Sequence, residues 1–309
     1  MNKRSRIVVI GSANQDLVVR TEHIPAPGET VLGGAFVMPP GGKGANQAVA
    51  AARLGAEVRF VGRLGQDAFG DALREAMEAS GILPDHIRRD PEHPTGVALI
   101  GVDTQGQNAI IVAPGANHQL SIADIEAARD SIAAADAVVL QLEIPLETVV
   151  YAVGLARSVG TRVLLNPAPV RHTDPLPGDL LRQVDVLTPN EHEAANLLGH
   201  ATPEGLDWAE VAKTLLQKGV GAVVITLGSE GCLVATDGTL ERLPALPVPP
   251  VDTTAAGDCF TGALAVALAE GKDLTTAARF ATRAAALSVT RMGAQPSLPT
   301  RAEIDALSL

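Results

Sequence analysis

The sequence predicts an α/β protein with three layers, α/β/α, a mostly parallel central sheet and a small β-sheet lid. Three observations lead there. Short runs of Val, Ile and Leu recur without polar alternation, the pattern of strands buried on both faces. Ala-rich amphipathic stretches lie between them, so strands alternate with helices as parallel βαβ units require. Two segments break this rhythm with prolines, glycines and alternating polarity, and these are expected to form the lid.

The apolar runs begin at Arg6 (RIVVIGSA), Val58 (VRFVGRL), Ala137 (AVVLQLE), Arg162 (RVLLNPA), Val184 (VDVLTPN) and Ala222 (AVVITLG). Helices are expected over 44–54, 67–80, 122–134, 146–159, 191–198 and 207–218, with 260–270 and 275–291 closing the chain. The irregular segments are 14–40, containing IPAPGET, VLGG and MPPGG, and 95–113, a hairpin around Asp103-Thr-Gln-Gly106. The α/β part then comprises 1–13, 41–94 and 114–309, and the lid 14–40 and 95–113.

The chain has 309 residues, 46% of them hydrophobic, enough for one large core or two unequal ones. A net charge of −11 with no basic face argues against a general nucleic-acid partner, so an anionic ligand would need a local site. Cys232 and Cys259 have no metal-like spacing and read as cytosolic thiols. Cys259 sits near a helix start, where a thiol pKa can fall, but a small buried apolar residue is the better reading. The N-terminal apolar run is too short for a signal segment, and no stretch is long enough to span a membrane. A cytoplasmic protein is expected.

The P-loop pattern, a G-x-G-x-x-G after a strand, G-x-S-x-G and H-E-x-x-H are all missing from the sequence. The chemistry must be sought elsewhere. Gly41-Gly-Lys-Gly-Ala-Asn-Gln47 opens a helix, and its glycines let the backbone approach a ligand closely. Lys43 and Asn46 would donate to hydroxyl oxygens; an ordinary glycine turn is the alternative. Asn14 and Asp16 follow the first strand and Glu143 ends another, at the strand ends where open α/β sheets bind ligands. Together they suggest a polyol pocket, against an Asx turn and a solvated acid as the plain alternative.

The stretch VDTTAAGDCF at 251–260 leads into a helix. The free N–H groups around Ala255, Ala256 and Gly257 would receive a transferring phosphoryl group. Asp258 beside them would repel phosphate unless it accepts the proton of an attacking hydroxyl. The competing reading is an acid favoured by the helix dipole. Thr226-Leu227-Gly228-Ser229-Glu230-Gly231 ends a strand in a glycine turn suited to nucleotide phosphates, or to a plain turn into the next strand. Asn190 and Glu193, three apart at a helix start, suit a water-held Mg²⁺ or equally a capping box.

GGKGANQA at 41–48, NPAP at 166–169, TPNEHEA at 188–194, ITLGSEG at 225–231, DTTAAGD at 252–258 and VTRMGAQPS at 289–297 recur in order and spacing. By these motifs the chain resembles, end to end, the PfkB family of carbohydrate kinases, and most closely its ribose-phosphorylating members. The resemblance implies a ribokinase-like fold and ATP-dependent phosphorylation of D-ribose at O5. It implies a sugar pocket at Asn14, Asp16, Gly42, Lys43, Gly44, Asn46 and Glu143, with Asp258 as base and Ala255, Ala256 and Gly257 as anion hole. Asn190, Glu193, Thr226 to Gly231 and Gly257 would attend ATP and Mg²⁺, and Thr282 would lie near the adenine, where its short side chain departs from the family pattern. A K⁺ ion is implied near Asp252, Thr254, Ser288, Arg291, Gly293 and Ser297, several through carbonyl oxygens. A homodimer joined through the lid is also implied. Two other readings compete. One is a PfkB kinase for deoxyribose, fructose or adenosine; the 2% aromatic content argues against stacking a nucleobase. The other is a non-catalytic sugar sensor, which would have no use for Asp258.

Overall fold

The computed structural model describes residues 4–307; residues 1–3 and 308–309, expected to belong to the α/β part, lie outside the described residues. Fourteen strands are found among the described residues. They are β1 (Arg6–Ile10), β2 (Asn14–Arg20), β3 (Phe36–Val37), β4 (Pro40–Gly41), β5 (Glu57–Gly65), β6 (Leu83–Asp90) and β7 (Gly96–Val102). Then follow β8 (Asn108–Ala113), β9 (Ala137–Leu140), β10 (Arg162–Leu165), β11 (Val186–Leu187), β12 (Val223–Thr226), β13 (Cys232–Ala235) and β14 (Leu240–Leu243). The helices are α1 (Lys43–Arg53), α2 (Ala68–Ala79), α3 (Ile122–Ala127), α4 (Arg129–Ala134), α5 (Leu146–Ser158) and α6 (Gly178–Leu181). The C-terminal half adds α7 (Glu191–Leu197), α8 (Trp208–Gln217), α9 (Ala256–Ala269), α10 (Leu274–Ser288) and α11 (Arg301–Asp305).

Nine strands form one sheet in the order β14-β13-β12-β11-β10-β9-β1-β5-β6. All neighbours from β12 to β6 are parallel, and β13 and β14 add antiparallel at one edge. Successive side chains of a strand point to opposite faces, so each buried strand feeds two cores. In β1, Ile7 and Val9 join the core under α1, α2, α9 and α10, while Val8 and Ile10 join the core under α3 to α8. Three layers follow.

The expected helices are present with shifted ends. The exception is 122–134, which divides at Ala128 into α3 and α4. The run at Val184 supplies only the two paired residues Val186 and Leu187. Strands β6 and β14 lack an unbroken apolar run because each is a sheet edge with an exposed side, and they were not anticipated.

α9 is buried on all sides from Asp258 to Leu268, because it lies between α1 and α10. Its approach to α1 depends on Gly262. A Cβ there would stand 2.8 Å from both the Ala50 Cβ and the Gln47 carbonyl oxygen. The missing side chain therefore sets the gap across which the start of α9 faces the start of α1.

The segments at 14–40 and 95–113 share a second, smaller sheet, ordered β3-β2-β7-β8 with β4 paired to β2. β2 and β7 run parallel over seven residue pairs, and β7 and β8 form the expected hairpin. One face of this sheet leaves apolar side chains in solvent: Ile111 is 68% exposed, Phe36 53% and Leu99 49%. No helix among the described residues is long and apolar enough to cross a membrane.

Candidate active site

α9 begins with Ala256, four residues before the expected start at 260, and Ala255 is its N-cap. Ala255 has φ 59°, the one non-glycine residue with positive φ among those described. An alanine in this left-handed region carries a steric cost, and such strain clusters at functional turns. Ala255 offers no capping side chain, and only the outer N–H groups are used: Ala256 donates to the Thr253 carbonyl and Cys259 to that of Ala255. The Gly257 and Asp258 N–H groups between them donate to no atom of the described residues. They are available to an anion, at the positive end of a fourteen-residue helix.

The Asp258 carboxylate does not lie in solvent. It is 7% exposed and turns towards α1, where Asn46 Nδ2 donates to Oδ2 at 3.0 Å and Gln47 Nε2 to Oδ1 at 2.9 Å. Burial pushes its pKa up, against the pull of the Lys43 cation and the two amide donors, while Glu143 pushes it further up. Cys259 beside it is fully buried, and burial pushes its thiol up to about 12. The small-buried-residue reading of Cys259 therefore holds; it is no nucleophile.

Gly42 precedes α1 with φ 88°, and a Cβ there would meet the Asn14 nitrogen at 2.6 Å. The turn thus lies directly against the start of β2, which brings the polar residues of the early segment to one place. Asn14 and Asp16 belong to β2 rather than to a turn after β1, and Glu143 lies three residues past β9 rather than at its end. Asn14 Oδ1 is held at 2.7 Å by Asn117 Nδ2. Glu143 Oε2 accepts from Ser12 Oγ at 2.5 Å and from the Lys43 N–H at 3.3 Å. The Asp16 carboxyl is raised from 3.8 to about 7 by burial first, then by the negative charges of Glu143 and Asp258. Lys43 faces Asp258, Glu143 and Glu193, and these carboxylates raise its pKa against the opposing effect of burial. Gly44 lies in the first turn of α1, buried against Ser12.

On the far side of Lys43, Asn190 caps α7 and forms a reciprocal capping box with Glu193. The cap and the proposed site are the same residues, so the pattern serves both readings. Burial raises the Glu193 pKa, offset by the Asn190 N–H and Lys43. Thr226 bridges to Asn190 and starts the turn to Gly231, with Gly228 and Gly231 both at positive φ. The Glu230 side chain is taken by Arg242, Leu227 is buried, and Ser229 is exposed. Thr282 is buried in α10, where its hydroxyl donates to the Ala278 carbonyl at 2.9 Å and lies 3.6 Å from Cys232 Sγ of β13.

The six residues expected around a K⁺ ion lie on strands of chain tied together. Val251 and Asp252 N–H groups donate to the Val289 carbonyl, and the Gly293 N–H to Asp252 Oδ2. Thr254 donates its N–H and its hydroxyl to Asp252 Oδ1. Ser288 and Ser297 are fully buried, with hydroxyls donating to the Ala285 and Ala294 carbonyls, which leaves oxygen lone pairs free. An all-oxygen donor set with one carboxylate fits a hard monovalent cation. The Arg291 side chain is not part of it, since it pairs with Glu303; only its carbonyl could contribute. For Mg²⁺ the fit is looser, because the Glu193 carboxylate can only hold the ion's waters while accepting from Asn190.

Sequence reasoning passed over several residues of the site. Gln47, Gln141, Asn166 and Asn117 are buried amides whose bonds cross between elements. Gln47 stood inside a quoted motif, and Gln141 interrupts an apolar run. A polar amide in an otherwise apolar stretch was the available signal.

The model of the pfkB family carbohydrate kinase matches residues 4–301. Ribokinase from Bacillus subtilis (strain 168) is 44% identical over 301 residues, covering 97% of this chain and 98% of that one. Deoxyribokinase from Salmonella typhi is 37% identical, covering 95% of each chain. The structure of Arabidopsis thaliana ribokinase complexed with ribose and ATP superposes with a TM-score of 0.88 at 36% identity, over 99% of this chain and 100% of that one. With this match and these relatives over nearly its whole length, the chain that sets a buried acid at the open N-terminus of α9 belongs to the pfkB family of carbohydrate kinases.

Proposed function

We propose that this protein transfers the γ-phosphoryl group of ATP to O5 of D-ribose, giving D-ribose 5-phosphate and ADP. The observation that carries the reading is Asp258, buried and oriented by Asn46 and Gln47 beside two unbonded N–H groups. In the reaction the O5 oxygen bonds to the γ-phosphorus as the bond to the bridging β–γ oxygen breaks. Asp258 accepts the O5 proton, and the unbonded Gly257 and Asp258 N–H groups receive the charge on the transferring oxygens. Asn14, Asp16, Lys43 and Glu143 hold the sugar hydroxyls, and Asn190, Glu193 and the Thr226–Gly231 turn attend the nucleotide. Mg²⁺ carried with ATP supplies phosphate charge neutralisation, and K⁺ among the Asp252, Thr254, Ser288 and Gly293 oxygens supplies charge that orders the loop before α9. The small sheet serves as a lid over the sugar and as the joint of a homodimer, and the setting is cytoplasmic.

The Salmonella relative makes deoxyribose the second reading. Release of ADP is measured with ribose, deoxyribose, fructose and adenosine as acceptors. D-ribose is expected to give the highest kcat/KM; deoxyribose or another acceptor ahead of it would replace the substrate. Asp258→Asn is expected to lower kcat by about 10²–10⁴-fold with sugar binding retained, the usual scale for a lost general base. A kcat within a few-fold of the unaltered protein would remove Asp258 from that role.

A further inference from the structure

The base does not stand alone on α1. Gln47 is fully buried, and its Nε2 donates both to Asp258 Oδ1 at 2.9 Å and to Asn166 Oδ1 at 3.2 Å. Its Oε1 accepts from Gln141 Nε2 at 2.6 Å. Gln141 is also fully buried, one residue past β9, on the sheet side of α1. Asn166, just past β10, is itself fixed by donating to the Thr188 carbonyl at 2.7 Å. Three amides from three elements therefore form a line that runs from Gln141 to Gln47 and branches there to Asp258 and Asn166.

The order of donors in this line is determined. If Gln47 turned its amide over, its oxygen would face the oxygens of Asp258 and Asn166, and its NH₂ would face the NH₂ of Gln141. Both contacts would be repulsive. The Gln141 donation thus keeps the Gln47 N–H groups on the base. Gln141 does this at its own expense, since its Oε1 is buried with no partner among the described residues. An unsatisfied buried amide oxygen is destabilising, and an apolar residue of the same size would avoid it. Its presence makes sense as an orienting device.

We propose that Gln141 and Gln47 form a positioning relay for Asp258, in which Gln141 fixes the Gln47 amide and Gln47 holds the carboxylate charged and aimed at the acceptor hydroxyl. Neither residue touches substrate. The inference rests on the reading of Asp258 as base. Other charged groups act on the same carboxylate: Lys43 of α1 favours its charged form, while Glu143 beyond β9, Asp16 of β2 and Glu193 of α7 oppose it. The buried Cys259 beside it in α9 stays neutral. None of these bonds to Gln47 or Gln141, so their effect is common to all variants compared.

The test compares Gln47→Met and Gln141→Met, near-isosteric changes that remove the amides, by kcat–pH profiles and thermal melts. Loss of a donor to the charged form raises the pKa of the base, so the acid limb of kcat should move up by about one pH unit in Gln47→Met, with kcat on that limb down about tenfold. Gln141→Met should show a smaller shift of the same sign, with a melting temperature close to that of the unaltered protein, since it removes one unpartnered amide oxygen but leaves Gln47 Oε1 without its donor. KM for ribose and ATP should stay within a few-fold in both. If Gln47→Met folds poorly, Gln141→Met alone decides. An acid limb unmoved in Gln141→Met while Asp258→Asn is inactive would overturn the relay and leave the base in place. An active Asp258→Asn would instead overturn the reading of the base itself.

Discussion

At the scale of single residues, the site holds more negative charge than its burial favours, and Asp16 shows what that implies. Its carboxyl is raised from 3.8 to about 7 by burial and by Glu143 and Asp258. A group raised in this way contributes stability that is fully present below pH 3.8 and is lost as the pH rises through about 7. At about 1.36 kcal/mol per pH unit, the stability lost is at most about 4 kcal/mol. Asp16→Asn removes the charge, so the variant should melt higher than the unaltered protein at pH 8.5 and show no such advantage at pH 4. The ribose KM should rise at the same time, because an acceptor for hydroxyl protons is gone. Melting curves at the two pH values check this; an identical difference at both would mean that Asp16 is charged in the fold throughout. The polar residues of the proposed site stood out in the sequence because carboxylates and amides beside glycine turns and strand ends have a chemical reason to be there. The amides behind them did not, because a buried Gln reads the same whether it serves a neighbour or fills a core.

At the scale of elements, the start of α1 and the start of α9 must meet, and Gly262 sets their separation. Gly262→Ala gains about 1 kcal/mol of helix propensity. It also places a carbon 2.8 Å from the Ala50 Cβ and the Gln47 carbonyl, neither of which can swing aside. Overpacking of this kind costs about 1–3 kcal/mol, so the melting temperature should fall only slightly. The activity should suffer far more, because α1 carries Asn46 and Gln47, and a displacement near 1 Å can cost about 10²-fold. Steady-state kinetics set beside a thermal melt will show it; unchanged kcat would mean the gap does not position the base. The parallel strands were readable for the reason that makes them central: residues such as Val8 and Val9 are both buried, so the run is unbroken. β6 has a wet edge and reads LPDHIRRD, which no strand pattern catches. The division of 122–134 at Ala128 left no mark either, since Ser121 with Asp124 caps α3 while the break itself falls on an alanine with no capping side chain and no glycine.

At the scale of the whole molecule, the acidic chain must admit an anionic nucleotide and shield a sugar, and the small sheet bears on both. It carries Asn14 and Asp16 on β2, yet the face opposite Asp16 leaves Phe36, Leu99 and Ile111 largely in solvent. Apolar side chains exposed together on an edge strand such as β8 invite either aggregation or a partner. A second copy applied to this face would bury them and stiffen the sheet that lines the proposed sugar pocket. In the proposed homodimer, Ile111→Arg places a charge in the joint without touching Asn14 or Asp16. Sedimentation velocity at micromolar protein should then show the dimer replaced by monomer, at unchanged secondary structure by circular dichroism. The ribose KM should rise several-fold while the ATP KM holds, since only the sugar side rests on the small sheet. A dimer that survives Ile111→Arg would move the joint to another face, and a monomer with unaltered ribose KM would separate assembly from the pocket.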